Sequence, residues 1–155
     1  MAQGQPLAVA DASVIAKWFL VEAYRDDAVR LRDDFVSGKL SLSSPALMPF
    51  EVINVVKFSS KSTQVSRVKA VGKSLSFYGI TLHHLKHEYL DLSAEVSSRN
   101  DVTIYDASYI ALAEHLQSVL YTADERLLAR LTPGDRARSK HISEYRSPST
   151  EAESS

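Results

Sequence analysis

With 155 residues, the chain is long enough for one domain with a sizeable core, and its 45% apolar and 24% charged residues are ordinary for a globular protein. It contains no cysteine, which excludes a disulfide framework and any thiolate metal site, and no apolar run reaches the roughly 18 residues that span a bilayer. A net charge of −1 does not advertise nucleic-acid binding, and the start MAQGQP lacks the basic segment of a secretory signal, so a cytoplasmic protein with no membrane partner is expected.

In chain order, Leu7–Ala10 is a short apolar run of the kind that forms a buried strand. Asp11 follows at once, and Ser13–Leu20 turns helical. Trp18 and Phe19 suit a core or a partner surface, and Lys17 is expected to snorkel at the surface. Glu22–Lys39 reads as an amphipathic helix on which Asp26, Asp27, Asp33 and Asp34 alternate with Arg25, Arg30 and Arg32. Those acids fit a solvated face of local ion pairs and are assigned no chemistry. Leu40–Ser43 is a weak second strand, and Pro49 opens a helix over Pro49–Ser60. Thr63–Tyr78 is a basic helix with Val65, Val68, Val71, Leu75 and Phe77 available for packing, closed by Gly79.

Ile80–Leu82 suits a third strand. The nearby His83, His84 and His87 do not make a zinc site, because adjacent residues on an extended segment face opposite ways and no suitable fourth ligand is evident. Glu88–Arg99 and Val102–Leu116 are helices, the second with Ala107, Ile110 and Ala111 at helical spacing. Val119–Tyr121 is a strand ended by Thr122-Ala123-Asp124. Glu125–Leu131 is a helix, Pro133-Gly134 a turn and Ser139–Tyr145 a last short strand. Strands alternating with helices predict a three-layer α/β fold around a mostly parallel sheet of four or five strands. Residues 1–145 form the expected domain, and 146–155 a polar, disordered tail.

Four acids stand out in this layout. Asp11 and Asp124 each end a strand and precede a helix, so each could be a plain N-cap. Glu51 lies in a first helical turn, where the dipole favours an acid. Asp106 could complete a capping box with Thr103. If the sheet is parallel, all four converge at its carboxyl edge, where carboxylates repel one another and raise one another's pKa. A hard divalent cation such as Mg²⁺ or Mn²⁺ removes that cost. Charge is also unevenly distributed. Between Val52 and His87 there is no acid, while Lys57, Lys61, Arg67, Lys69 and Lys73 lie in that window. Such a basic lobe could grip phosphates, or simply be a solvated helical face.

The motifs VADASVIAKWF, PFEVINVV, TIYDASYIALAE and LYTADERLL, in this order and spacing, resemble those of PIN-domain nucleases, and most nearly the VapC-type toxins of toxin–antitoxin pairs. None is specific alone; four in order are. The resemblance covers about Leu7 to Tyr145. It implies an α/β/α PIN fold and a Mg²⁺ or Mn²⁺ site built from Asp11, Glu51, Asp106 and Asp124, with Ser13 and Thr122 as supporting hydroxyls and Asn54 as a weaker support. It further implies metal-assisted hydrolysis of RNA, a homodimer, and a small antitoxin partner. Trp18, Phe19 and Tyr24 are candidate dimer contacts. Two other readings accompany it: a PIN RNA-processing nuclease without an antitoxin, and a non-catalytic module whose acids hold a structural cation. An aspartate-nucleophile phosphatase is disfavoured, because its first motif resembles D-x-D and the third position here is Ser13.

Overall fold

Leu7–Ala10 forms strand β1, and Ala8, Val9 and Ala10 are all buried. A strand that is apolar at successive positions offers no face to water and belongs inside a sheet covered on both sides. The computed structural model describes residues 4–149. The remaining strands are β2 (Ser41–Pro45), β3 (Thr81–His83), β4 (Val119–Thr122) and β5 (Ser139–His141). They lie in the order β3-β2-β1-β4-β5, and every neighbouring pair is parallel. The sheet is flanked by helices α1 (Ala12–Ile15), α2 (Arg25–Val36), α3 (Met48–Phe58), α4 (Val65–Tyr78), α5 (His87–Asn100), α6 (Ile104–His115), α7 (Glu125–Arg130) and α8 (Pro133–Arg138).

Two crossovers step outward from β1 through β2 to β3. The third returns past β1 to β4, and the fourth continues to β5. Right-handed connections then put α1–α4 on one face and α5–α8 on the other. The chain changes direction between β1 and β4. In open α/β sheets, ligands bind in the crevice outside the carboxyl ends of the strands at such a switch point. Helix α6 packs across β1, β2 and β4. Its residues from Ala107 to Ala113 are all buried, and the small side chains of Ala107, Ala111 and Ala113 let it lie close to the sheet.

Several sequence expectations are corrected. Lys17 is not a surface residue: it is buried, and its ammonium group pairs with Glu22 at 3.0 Å. Glu22 itself precedes the helix, because Tyr24 takes a left-handed conformation (φ 64°) and α2 starts at Arg25. Asp34 is not on a solvated face. It is buried, and its Oδ2 accepts a 2.6 Å hydrogen bond from the Tyr145 hydroxyl. Trp18 is core: its indole N–H donates to the Ala28 carbonyl at 2.9 Å, and its ring lies 4.9 Å from that of Tyr78. Phe77 and Val65 are exposed rather than packed. Pro133 begins helix α8, capped by Thr132, instead of making only a turn. The last strand ends at His141, after which Ile142–Glu144 coils into a 3₁₀ turn. Of the expected tail, residues 150–155 lie outside the described residues. Within 146–149, Arg146 donates to the carbonyls of Ser143 and Tyr145.

Candidate active site

Asp11 is the residue after β1, and extended backbone there (φ −89°, ψ 173°) makes it the N-cap of α1. Its Oδ1 accepts hydrogen bonds from the Val14 amide at 3.2 Å and the Ser13 hydroxyl at 2.5 Å. Ser13 also accepts from the Ala123 amide at 2.9 Å and lies 3.4 Å from the Thr122 hydroxyl. Thr122, fully buried at the end of β4, accepts from the Asp124 amide at 3.0 Å. Asp124 in turn caps α7, its Oδ1 accepting from the Leu127 amide at 3.0 Å. Ser13 and Thr122 therefore stitch the ends of β1 and β4 together across the switch point. The capping explanation is true of both aspartates, and in each it uses Oδ1.

Asp106 and Glu51 arrive from helices on opposite faces. Thr103 caps α6 by accepting from the Asp106 amide at 3.1 Å. The reciprocal half of a capping box, the Asp106 carboxylate accepting the Thr103 amide, is not present among the described residues. Glu51 occupies the first turn of α3, and its Oε1 accepts a 2.6 Å hydrogen bond from the hydroxyl of Tyr109. Tyr109 is 3% exposed and lies one turn along α6 from Asp106.

These acids share one electrostatic neighbourhood. Burial raises the Asp11 pKa to about 6, with the charge of Asp124 adding to the rise, against the hydrogen bonds from Ser13, Thr122 and Val14. Burial also raises Asp106, with Asp124 again contributing, while Thr103 and Arg130 oppose. Glu51 is raised by burial and by the charge of Asp106, against the bond from Tyr109. The influence thus runs from Asp11 through Asp124 and Asp106 to Glu51. Among the described residues, none of the four is within salt-bridge distance of a lysine, arginine or histidine. Such a set of hard, mutually repelling oxygen donors suits Mg²⁺ or Mn²⁺ chemically. It is not a formed cage: among the described residues, no three acidic or imidazole groups are drawn together tightly enough to hold an ion.

The weaker candidates are placed differently. Asn54 is exposed, and its side chain makes no hydrogen bond among the described residues. Lys57, Lys61, Lys69 and Lys73 are exposed on and between α3 and α4. The Lys57 ammonium lies 5.2 Å from the Phe58 ring centroid, and Arg67 donates to the Phe19 carbonyl at 2.8 Å. Tyr109, which hydrogen-bonds the candidate acid Glu51, is a residue that sequence reasoning missed. Its spacing of three from Asp106 puts both on one side of a helix, which was the available signal.

Residues 8–132 match the family model of the PIN domain. The chain is similar to several solved structures, among them two that share its fold. One is PAE2754 from Pyrobaculum aerophilum, 22% identical, with 90% of this chain and 91% of that one covered and a TM-score of 0.60. The other is VapC20 from Mycobacterium tuberculosis, a toxin that cleaves the sarcin–ricin loop, 15% identical, with 79% and 93% covered and a TM-score of 0.61. No curated protein sequence matches the chain. At these identities the two structures show a shared fold.

Proposed function

The chain belongs to the PIN-domain family, whose members are generally nucleases, and on that premise we propose that it is a metal-dependent endoribonuclease acting as the toxin of a VapBC-type toxin–antitoxin pair. One observation carries the nuclease part. Asp11, Asp106 and Glu51 are all buried or half-buried with raised proton affinity, Asp11 and Asp106 each feel the charge of Asp124 and Glu51 that of Asp106, and none has a basic side chain in salt-bridge range among the described residues. Burying acids without a counter-charge opposes folding, so a site of this kind is better explained by a cationic ligand than by stability.

In this reading Asp11 and Asp106 hold a Mg²⁺ or Mn²⁺ ion most directly, and Asp124 holds that ion or a second one. When bound, the cation neutralises charge on the phosphoryl oxygens and acidifies a bound water. The chain's own groups do the rest. Ser13 and Thr122 fix Asp11 relative to Asp124 through the bonds described above. Glu51 orients the attacking water or holds the ion through a water. Asn54 is kept as a weaker support one turn along α3. The exposed Lys57, Lys61, Lys69 and Lys73, with Arg67, grip flanking phosphates of the RNA, a term that weakens as salt rises. Residues 1–145 act as the catalytic domain, the protein works in the cytoplasm as a homodimer, and a small antitoxin protein restrains it. No described helix is long and apolar enough to cross a membrane.

The test is cleavage of mixed RNA by purified protein with Mg²⁺, Mn²⁺ or chelator, for wild type and Asp106→Asn. Cleavage is expected only with metal and is expected to fall by about 10²- to 10⁴-fold in the variant. Equal cleavage by the two proteins overturns the mechanism. The toxin reading is tested separately: expression alone should arrest growth, and a small partner should co-purify and relieve the arrest. An active nuclease with neither property is a processing enzyme instead.

A further inference from the structure

We propose that Tyr109 is a positioning residue that acts through Glu51, its hydroxyl holding one carboxylate oxygen so that the other is presented to the acid cluster. This rests on the nuclease reading above. The geometry that supports it is specific. Tyr109 is buried, and its hydroxyl donates to Glu51 Oε1 at 2.6 Å across 58 residues of sequence, from α6 to α3. That bond is the only described hydrogen bond to the Glu51 carboxylate. It also joins the two helices that carry Glu51 and Asp106, which sit on opposite faces of the sheet. Without it, a half-buried glutamate with three rotatable bonds would have no fixed orientation.

A phenol suits this task better than a cation would. A lysine or arginine would cancel the Glu51 charge and compete with any metal ion. A tyrosine hydroxyl donates one hydrogen bond and leaves the charge in place. Partners of this kind, bonded to a metal-site carboxylate, set its orientation, and their loss generally lowers metal affinity or activity by about 10- to 100-fold.

The test is a double-mutant cycle on the full chain with Tyr109→Phe, Glu51→Gln and the double variant, each checked for folding by circular dichroism. RNA cleavage is measured with Mn²⁺, and thermal melting with and without Mn²⁺. Tyr109→Phe is expected to lower kcat by about 10- to 100-fold with little change in KM, and to shrink the Mn²⁺-induced rise in melting temperature. The double variant is expected to be no slower than Glu51→Gln alone, because the tyrosine has no other route to the reaction. Additive losses in the double variant, or a fully active Tyr109→Phe, overturn the proposal and leave the nuclease reading standing. A fully active Glu51→Gln also overturns it, whether or not Tyr109→Phe folds. A wild type that neither cleaves RNA nor melts higher with Mn²⁺ overturns both.

Discussion

Asp11 and Asp135 are buried to almost the same degree, 7% and 4% exposed, yet their proton affinities move in opposite directions. Burial pushes both up. At Asp135 it is outweighed by the Arg99 guanidinium, which donates at 2.6 and 2.8 Å, and by Asn100 at 2.7 Å and Thr132 at 3.2 Å, so the acid titrates below its ordinary range. Asp11 has hydrogen bonds but no cation in salt-bridge range among the described residues, and the charge that acts on it is that of another acid, Asp124. Asp34 behaves like Asp135: the Tyr145 hydroxyl and the Lys39 ammonium help hold it below the usual carboxylate range. The Arg99–Asp135 group ties α5 to α8, and Arg99 also reaches Glu114 on α6 at 2.9 Å. Buried acids that carry their own cation tie elements of the fold together; Asp11 is held by hydrogen bonds alone among the described residues.

The contrast can be broken by substitution. The largest expected effect is the split in Asp106→Asn between activity and stability. Alongside the 10²- to 10⁴-fold loss of cleavage described above, its melting temperature in chelator should be unchanged or higher, since a repelling charge is removed. A lower melting temperature would make Asp106 a structural acid. Arg99→Ala should do the reverse. Removing one partner of a buried pair strands Asp135, so unfolding in urea should show a loss of about 2–4 kcal/mol, tempered by the partial exposure of Arg99. Cleavage per folded molecule should stay near wild type.

The pH dependence sharpens the comparison further. Asp11 has an unfolded value of 3.8 and a folded value of about 6, so between these the folded chain binds more protons. Its ionisation cost, on the order of 3 kcal/mol, is fully present above about pH 6 and is relieved as pH falls toward 4. Asp135 has the opposite sign: its contribution is present above its unfolded value and is lost as pH falls through its lowered folded value. Urea melts across pH 3–7 in chelator should therefore find that Asp11→Asn removes a fall in stability that accompanies a rise in pH from about 4 to 6. Arg99→Ala should weaken the loss of stability that sets in as pH drops into the acid range where Asp135 is protonated. The smallest effect is expected for Arg32→Ala. Its partner Asp33 is largely exposed, and the change in stability should stay within about 0.5 kcal/mol.

The parts of this structure that were legible in the sequence are those set by local pattern. The run Leu7–Ala10 is β1, the alanine stripe of α6 is buried, and both strand-end aspartates lie at the carboxyl edge of a parallel sheet. The parts that were not legible depend on partners far along the chain. Asp34 looked solvated because nothing nearby announces Tyr145, 111 residues on. Lys17 looked like a surface residue because its ion pair forms only where the chain turns at Glu22. The motif that resembles the PIN family singles out Glu51 as a candidate, but nothing in it announces the hydrogen-bond donor, because Tyr109 reads as one more apolar position on a buried helix. The supporting pair Ser13 and Thr122 was proposed by resemblance, and in the fold the two hydroxyls lie 3.4 Å apart.

The double duty of Asp11 and Asp124 bears on how a copy of this gene would decay. Each caps a helix as well as facing the acid cluster, so selection for a stable fold alone would keep both after any chemistry had been abandoned. Asp106 and Glu51 have no such insurance, because among the described residues the carboxylate of the first caps no helix and that of the second is held by Tyr109 alone. In a set of descendants, those two positions are where a copy released from the proposed chemistry would change first.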